Sequence, residues 1–172
     1  QELILTVCPR LNDISAVRLL RSLKKLVVTS PNSARGSLYA PLNTPMLEDS
    51  LRGLERLEEL RIDHCSPVPL ALLAALPRLR TLSVPALSPG QGFARLSGQT
   101  ALEDIEVQEA RELEDINALR RLPGLRRLVL GSSDRLRDLR PLSGLTNLTE
   151  LIIGGEQIAD LSPLADLSAL TV

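Results

Sequence analysis

The chain has 172 residues, is 44% hydrophobic and 24% charged, carries a formal net charge of −1, and holds one Phe, one Tyr and no Trp. That length suits one domain. A near-neutral chain with so few aromatic rings lacks the surplus of cations that holds phosphates and the set of faces that stacks bases, so no nucleic-acid partner is expected. No apolar run approaches the roughly 18–20 residues of a membrane span, so no membrane partner is expected either.

Along the chain a short L-x-L core recurs, with first positions at Leu3, Leu26, Leu60, Leu82, Ile105, Leu128 and Leu151. The steps between them are 23, 34, 22, 23, 23 and 23 residues. Each first position is followed two residues later by Leu5, Val28, Ile62, Val84, Val107, Leu130 or Ile153. Alternation over so short a stretch reads as a strand with one face buried. The predicted strands lie near 2–6, 25–29, 59–63, 81–85, 104–108, 127–131 and 150–154. Their connections are too long for hairpins and repeat themselves, so the strands should stack in parallel, about seven coils in all.

The return segments begin with Asp13-Ile14, Asp115-Ile116, Asp138-Leu139 and Asp160-Leu161; Arg140-Pro141 and Ser162-Pro163 follow two of them. A carboxylate or hydroxyl ahead of proline suits the start of a helical turn, where side-chain oxygens cover unpaired N–H groups. Structural capping by these aspartates is expected, with short 3₁₀ or α turns behind it. Longer helices are predicted at Ile14 to Ser22 and Leu70 to Leu76. One coil holds an insertion, 29–50. Thr44-Pro45 predicts an N-cap and first-turn proline, opening a helix through Met46, Leu47, Leu51 and Leu54. The preceding Thr29 to Asn43, with Pro31, Gly36, Tyr39 and Pro41, reads as a turn-rich surface loop.

L-x-x-L-x-L followed by a return segment resembles the leucine-rich repeat, and the resemblance covers essentially the whole chain. It implies an α/β solenoid: an arc with a parallel concave sheet and short helical or 3₁₀ turns on the convex side. Medium-sized Leu, Ile and Val fit every coil of such a stack, which accounts for the scarcity of aromatics. Residues 1–172 then form a single repeat domain. Gln1 opens directly on a strand and Val172 stops ahead of a core expected near position 173, so a longer parent protein is expected, continuing at least on the amino-terminal side.

Cys8 and Cys65 fall three residues after Leu5 and Ile62, where leucine-rich repeats commonly place Asn or Cys. With two rungs between them, each about 4.8 Å, they should lie about 10 Å apart, beyond the roughly 7 Å that a disulfide spans. Buried reduced thiols, and hence a reducing compartment, are expected. His64 stands between Asp63 and Cys65, but neighbours in extended backbone point apart and no second histidine exists to complete a zinc set. No P-loop is present: the lysines are Lys24 and Lys25, and neither follows a glycine. No enzyme activity, cofactor or metal is expected.

The residues flanking each L-x-L core should form the concave face, and there a protein partner would bind. The candidates are Glu58, Glu59, Arg61, Asp63, Arg80, Glu103, Asp104, Glu106, Glu109, Arg126, Arg127 and Glu150. Charge sign alternates between coils, which predicts cross-strand pairing of about 0.2–1 kcal/mol each. The coil from Glu103 to Glu109 should carry the most unmatched charge and therefore be the best binding segment.

The phrases Asp160 to Leu167 and Pro141 to Leu148 resemble bacterial internalin-type repeats, although the regular asparagine ladder is lacking and repeat length varies. The excess of arginine over lysine and the abundant alanine make the chain more similar to the sensor repeats of bacterial NACHT-type, NLR-like signalling ATPases. That resemblance implies a cytoplasmic ligand-sensing module; the internalin resemblance implies an extracellular adhesin.

Overall fold

The computed structural model describes residues 1–6, 13–29, 44–63, 67–88 and 93–171. Within them seven strands form one open sheet in chain order: β1 (Glu2–Thr6), β2 (Lys25–Thr29), β3 (Glu59–Ile62), β4 (Thr81–Ala86), β5 (Asp104–Glu109), β6 (Arg127–Leu130) and β7 (Glu150–Ile153). Every neighbouring pair is parallel. The register places Leu3, Leu26, Leu60, Leu82, Ile105, Leu128 and Leu151 side by side in one column. The chain is thus an α/β solenoid, with the sheet on one side and short helical turns on the other.

A repeated backbone device starts the rungs. The N–H groups of Glu58 and Glu59 both donate to the carbonyl of Lys24, those of Arg80 and Thr81 to Glu58, and those of Arg126 and Arg127 to Glu103. One carbonyl of each rung thereby sets the height of the next.

The returns are 3₁₀ turns at Ser15–Leu19, Leu70–Ala75, Phe93–Gly98, Asn117–Arg121, Arg140–Leu142 and Ser162–Leu164. The longer helices expected at Ile14 to Ser22 and Leu70 to Leu76 are therefore five- and six-residue 3₁₀ segments. The reason is visible in the leucine spacing. Leu119, Leu122 and Leu125 recur every third residue, and each N–H donates to the carbonyl three residues earlier (2.9–3.0 Å). Three residues per turn is the 3₁₀ period, whereas an α-helix needs 3.6. A true α-helix, α1 (Thr44–Leu51), occurs in the coil with the 34-residue step. It stops before Leu54, the expected limit, because Gly53 turns the chain at φ +83°. Glycine takes that left-handed conformation without steric cost and commonly ends helices. Residues 30–43 of the insertion, with Cys8, His64 and Cys65, lie outside the described residues.

The core lies between sheet and turns. Leu26, Leu60, Ile105 and Leu128 are fully buried, as are Val84, Val107 and Leu130 one column along. Phe93, the one phenylalanine, is also buried and stands 23 residues before Ile116. Gln99 occupies a place that neighbouring coils give to Leu76 and Leu122. It is buried, and its amide nitrogen donates to the Leu73 carbonyl at 2.6 Å. At the two ends Leu3, Leu5, Leu151 and Ile153 are only partly buried.

Candidate functional site

Alternation along each strand turns the odd-numbered face of β2 and its equivalents to solvent, and register then assembles those residues into columns. The first column reads Glu2, Lys25, Glu59, Thr81, Asp104, Arg127, Glu150. The second reads Ile4, Val27, Arg61, Ser83, Glu106, Val129, Ile152. A third row, at the edge where the strands begin, holds Lys24, Glu58, Arg80, Glu103, Arg126 and Thr149.

The first two columns share one ion-pair network. Lys25 meets Glu59 at 3.1 Å, and Glu59 meets Arg61 at 2.7 Å. Arg61 reaches across β4 to Asp104 at 3.5 Å, and the small, buried Ser83 lies on the strand so bridged. Arg127 closes the network: it lies 3.1 Å from Asp104, 2.9 Å from Glu106 and 3.2 Å from Glu150. Partial burial works against charge on Arg127, but hydrogen bonds to Glu106 and Asp104 outweigh it and raise its pKa. Burial likewise opposes the charge on Glu59, yet hydrogen bonds from Arg61 and Lys25 hold its carboxyl below the ordinary value.

The edge row pairs within itself. Lys24 and Glu58 are 2.8 Å apart, and Arg80 and Glu103 are 2.7 Å apart. The hydrogen bond from Lys24 lowers the Glu58 pKa. Arg126, the next cation in the row, is exposed and makes no ion pair among the described residues. The expectation that Glu103 to Glu109 carries the most unmatched charge is therefore corrected. Glu103, Asp104 and Glu106 each hold an arginine, and Glu109 lies 3.9 Å from Arg111. Arg61 on β3, Arg80 just ahead of β4 and Arg127 on β6 supply the neutralising charge, which lies outside β5 itself.

Other candidates fall where the register puts them. Asp63 follows β3, and its N–H donates to the Val28 carbonyl at 3.0 Å. Ile4 and Val27 belong to the same column as Ile152, but the charge pattern does not single them out. Ile152 is 51% exposed and Ile4 53%.

The four aspartates act structurally. Asp13, Asp115, Asp138 and Asp160 each accept the backbone N–H two residues on, at 2.7–2.9 Å. They sit one residue ahead of the N-cap position, in an Asx turn that leads into the 3₁₀ segment. Hydrogen bonds from the Arg140 side chain and N–H bring the Asp138 pKa down to about 2. Among the described residues no group of three His, Cys, Asp or Glu could hold a metal ion, and no helix is long and apolar enough to cross a membrane.

No protein-family model matches the chain, and no curated protein matches its sequence. Solved structures do. Internalin C2 of Listeria monocytogenes is similar over 99% of this chain and 78% of its own, with a TM-score of 0.63 and 22% identity. A leucine-rich-repeat protein of Leptospira interrogans is similar over 96% and 45%, at 0.56 and 19%. TLR13, solved with the single-stranded RNA ssRNA13, is similar over 99% and 28%, at 0.55 and 20%. Parallel rungs, three-residue leucine spacing and these likenesses agree: the fold is that of the leucine-rich-repeat proteins.

Proposed function

We propose that this chain is a non-catalytic protein-binding module that engages a partner on the solvent-facing, concave side of its sheet. The observation that carries the reading is the continuity of that face. Seven rungs present two columns of side chains in constant register, so a partner can touch several coils at once. The candidate residues Glu58 to Glu150 form its charged middle. TLR13 was solved with RNA, but here Glu59, Asp104, Glu106 and Glu150 neutralise the cations that a phosphate backbone would need.

For the parent, the arginine-rich, alanine-rich composition supports a ligand-sensing domain of a cytoplasmic NACHT-type, NLR-like receptor. The likeness to internalin C2 supports the second reading, an extracellular adhesin. Coding sequence upstream of Gln1 separates them: a Walker A motif supports the first, and a signal peptide or wall anchor the second.

The binding reading is tested by site-specific photocrosslinking in cells of the source organism. A crosslinking residue at Thr81 or Val129 should yield a discrete protein adduct, while one at Ala74 or Ala94 on the turn side should not. Adducts from the turn side alone would overturn the proposal.

A further inference from the structure

The outward face is not uniform in what it leaves unsatisfied. Across β2 to β5 the cations Lys24, Lys25, Arg61 and Arg80 are each held by a carboxylate of the chain itself. Arg127 is held by three. A partner anion arriving there must displace a partner already in place, so little charge-based recognition is gained. In the edge row, just before β6, the situation reverses. Arg126 is exposed without an ion pair among the described residues, and beside it the second column turns apolar. Val129 is half-buried and Ile152, its neighbour in register, is 51% exposed.

Arg126 stands three residues before Val129 on one rung, and Thr149 three before Ile152 on the next. At about 3.3 Å per residue, cation and aliphatic pair are separated by about 10 Å along the strands. Arg127, Glu106 and Glu150 lie between them and pair with one another, which leaves one unpaired cation set that far from an exposed aliphatic pair.

We infer that Arg126, Val129 and Ile152 form the principal contact of the protein-binding face, and that its ligand is an acidic–aliphatic segment of a partner protein. The partner's carboxylate pairs with Arg126 while its aliphatic side chain, about 10 Å away, covers Val129 and Ile152. This rests on the protein-binding reading above and narrows it from the whole face to β6 and β7.

The test uses three synthetic ten-residue peptides in which Asp, Lys or Ser alternates with Leu and Ile. They are titrated into the isotopically labelled chain at physiological salt and followed by amide chemical shifts. The Asp peptide should move the signals of residues 126–130 and 149–153. Arg126→Glu should weaken it roughly fivefold or more, and Arg121→Gln, on the turn side, should leave it within about twofold. Circular dichroism of both variants should match the parent chain. Preference for the Lys peptide, or shifts centred on Asp104 to Glu109, would overturn the inference while leaving the binding face in place. So would unchanged affinity in Arg126→Glu, or self-association of the chain over the same residues. Shifts confined to Asn117–Arg121 and Arg140–Leu142 on the turn side would overturn both readings.

Discussion

Asp138 and Gly131 show how single side chains hold a coil in place. Asp138 has its pKa lowered from 3.8 to about 2 by the Arg140 side chain and N–H, and Asp13 and Asp160 are lowered by the N–H groups of Ser15 and Ser162. A carboxyl whose folded pKa is depressed stabilises the fold above its unfolded pKa, and that contribution is lost as pH falls through the folded value. Thermal melts of the Asp138→Ala variant should therefore lie below those of the parent chain at pH 7, and the gap should narrow between about pH 4 and pH 2. Gly131 acts through its lack of a side chain: a Cβ there would collide with the backbone carbonyl of Gln108 on the previous rung. Gly131→Ala should cost about 1–3 kcal/mol by forcing the rungs apart. At Gly144, where a Cβ meets nothing within 4 Å, the same change should be neutral or slightly stabilising, by about 0.4–1 kcal/mol. Urea denaturation of both variants checks the pair.

The elements differ in how legible they were. The strands follow from the two-residue alternation, because the buried column demands it and register then repeats it. The 3₁₀ turns were open to a sharper reading, since Leu119, Leu122 and Leu125 already carry the three-residue period. The segments after Ile14 and Leu70 carry the same period, in Val17, Leu20 and Leu23 and in Leu73, Leu76 and Leu79, and form 3₁₀ turns in place of the longer helices expected there. The charge network was legible only in part. Alternation of sign between coils pointed to cross-strand pairs, yet the Arg61–Asp104 bridge skips a strand, and that reach depends on side-chain length and the small Ser83 in between. Arg127 is the hub, so Arg127→Met should leave Asp104, Glu106 and Glu150 facing one another. Its side chain is 30% exposed, and solvent screening limits the expected loss to about 1 kcal/mol. A double-mutant cycle with Glu106→Gln, repeated at high salt, should show a coupling that shrinks as salt rises.

At the scale of the molecule, stability is a sum over rungs and the contacts between neighbours. A deletion in the middle removes packing on both sides, whereas one at an end removes it on one. Leu128→Ala, at a fully buried position between β5 and β7, should cost about 2–5 kcal/mol. The equivalent Leu3→Ala on β1, only partly buried, should cost distinctly less. The same architecture divides the labour: inward leucines set the stack, and outward side chains add only the smaller contributions of their ion pairs.

Residue-resolved amide hydrogen exchange tests most directly whether the chain is a one-dimensional stack with its outward side chains supported rung by rung. Protection should be greatest in β3 to β6 and fall step by step toward β1 and β7. A flat profile, with β1 and β7 exchanging as slowly as β4, would contradict the account.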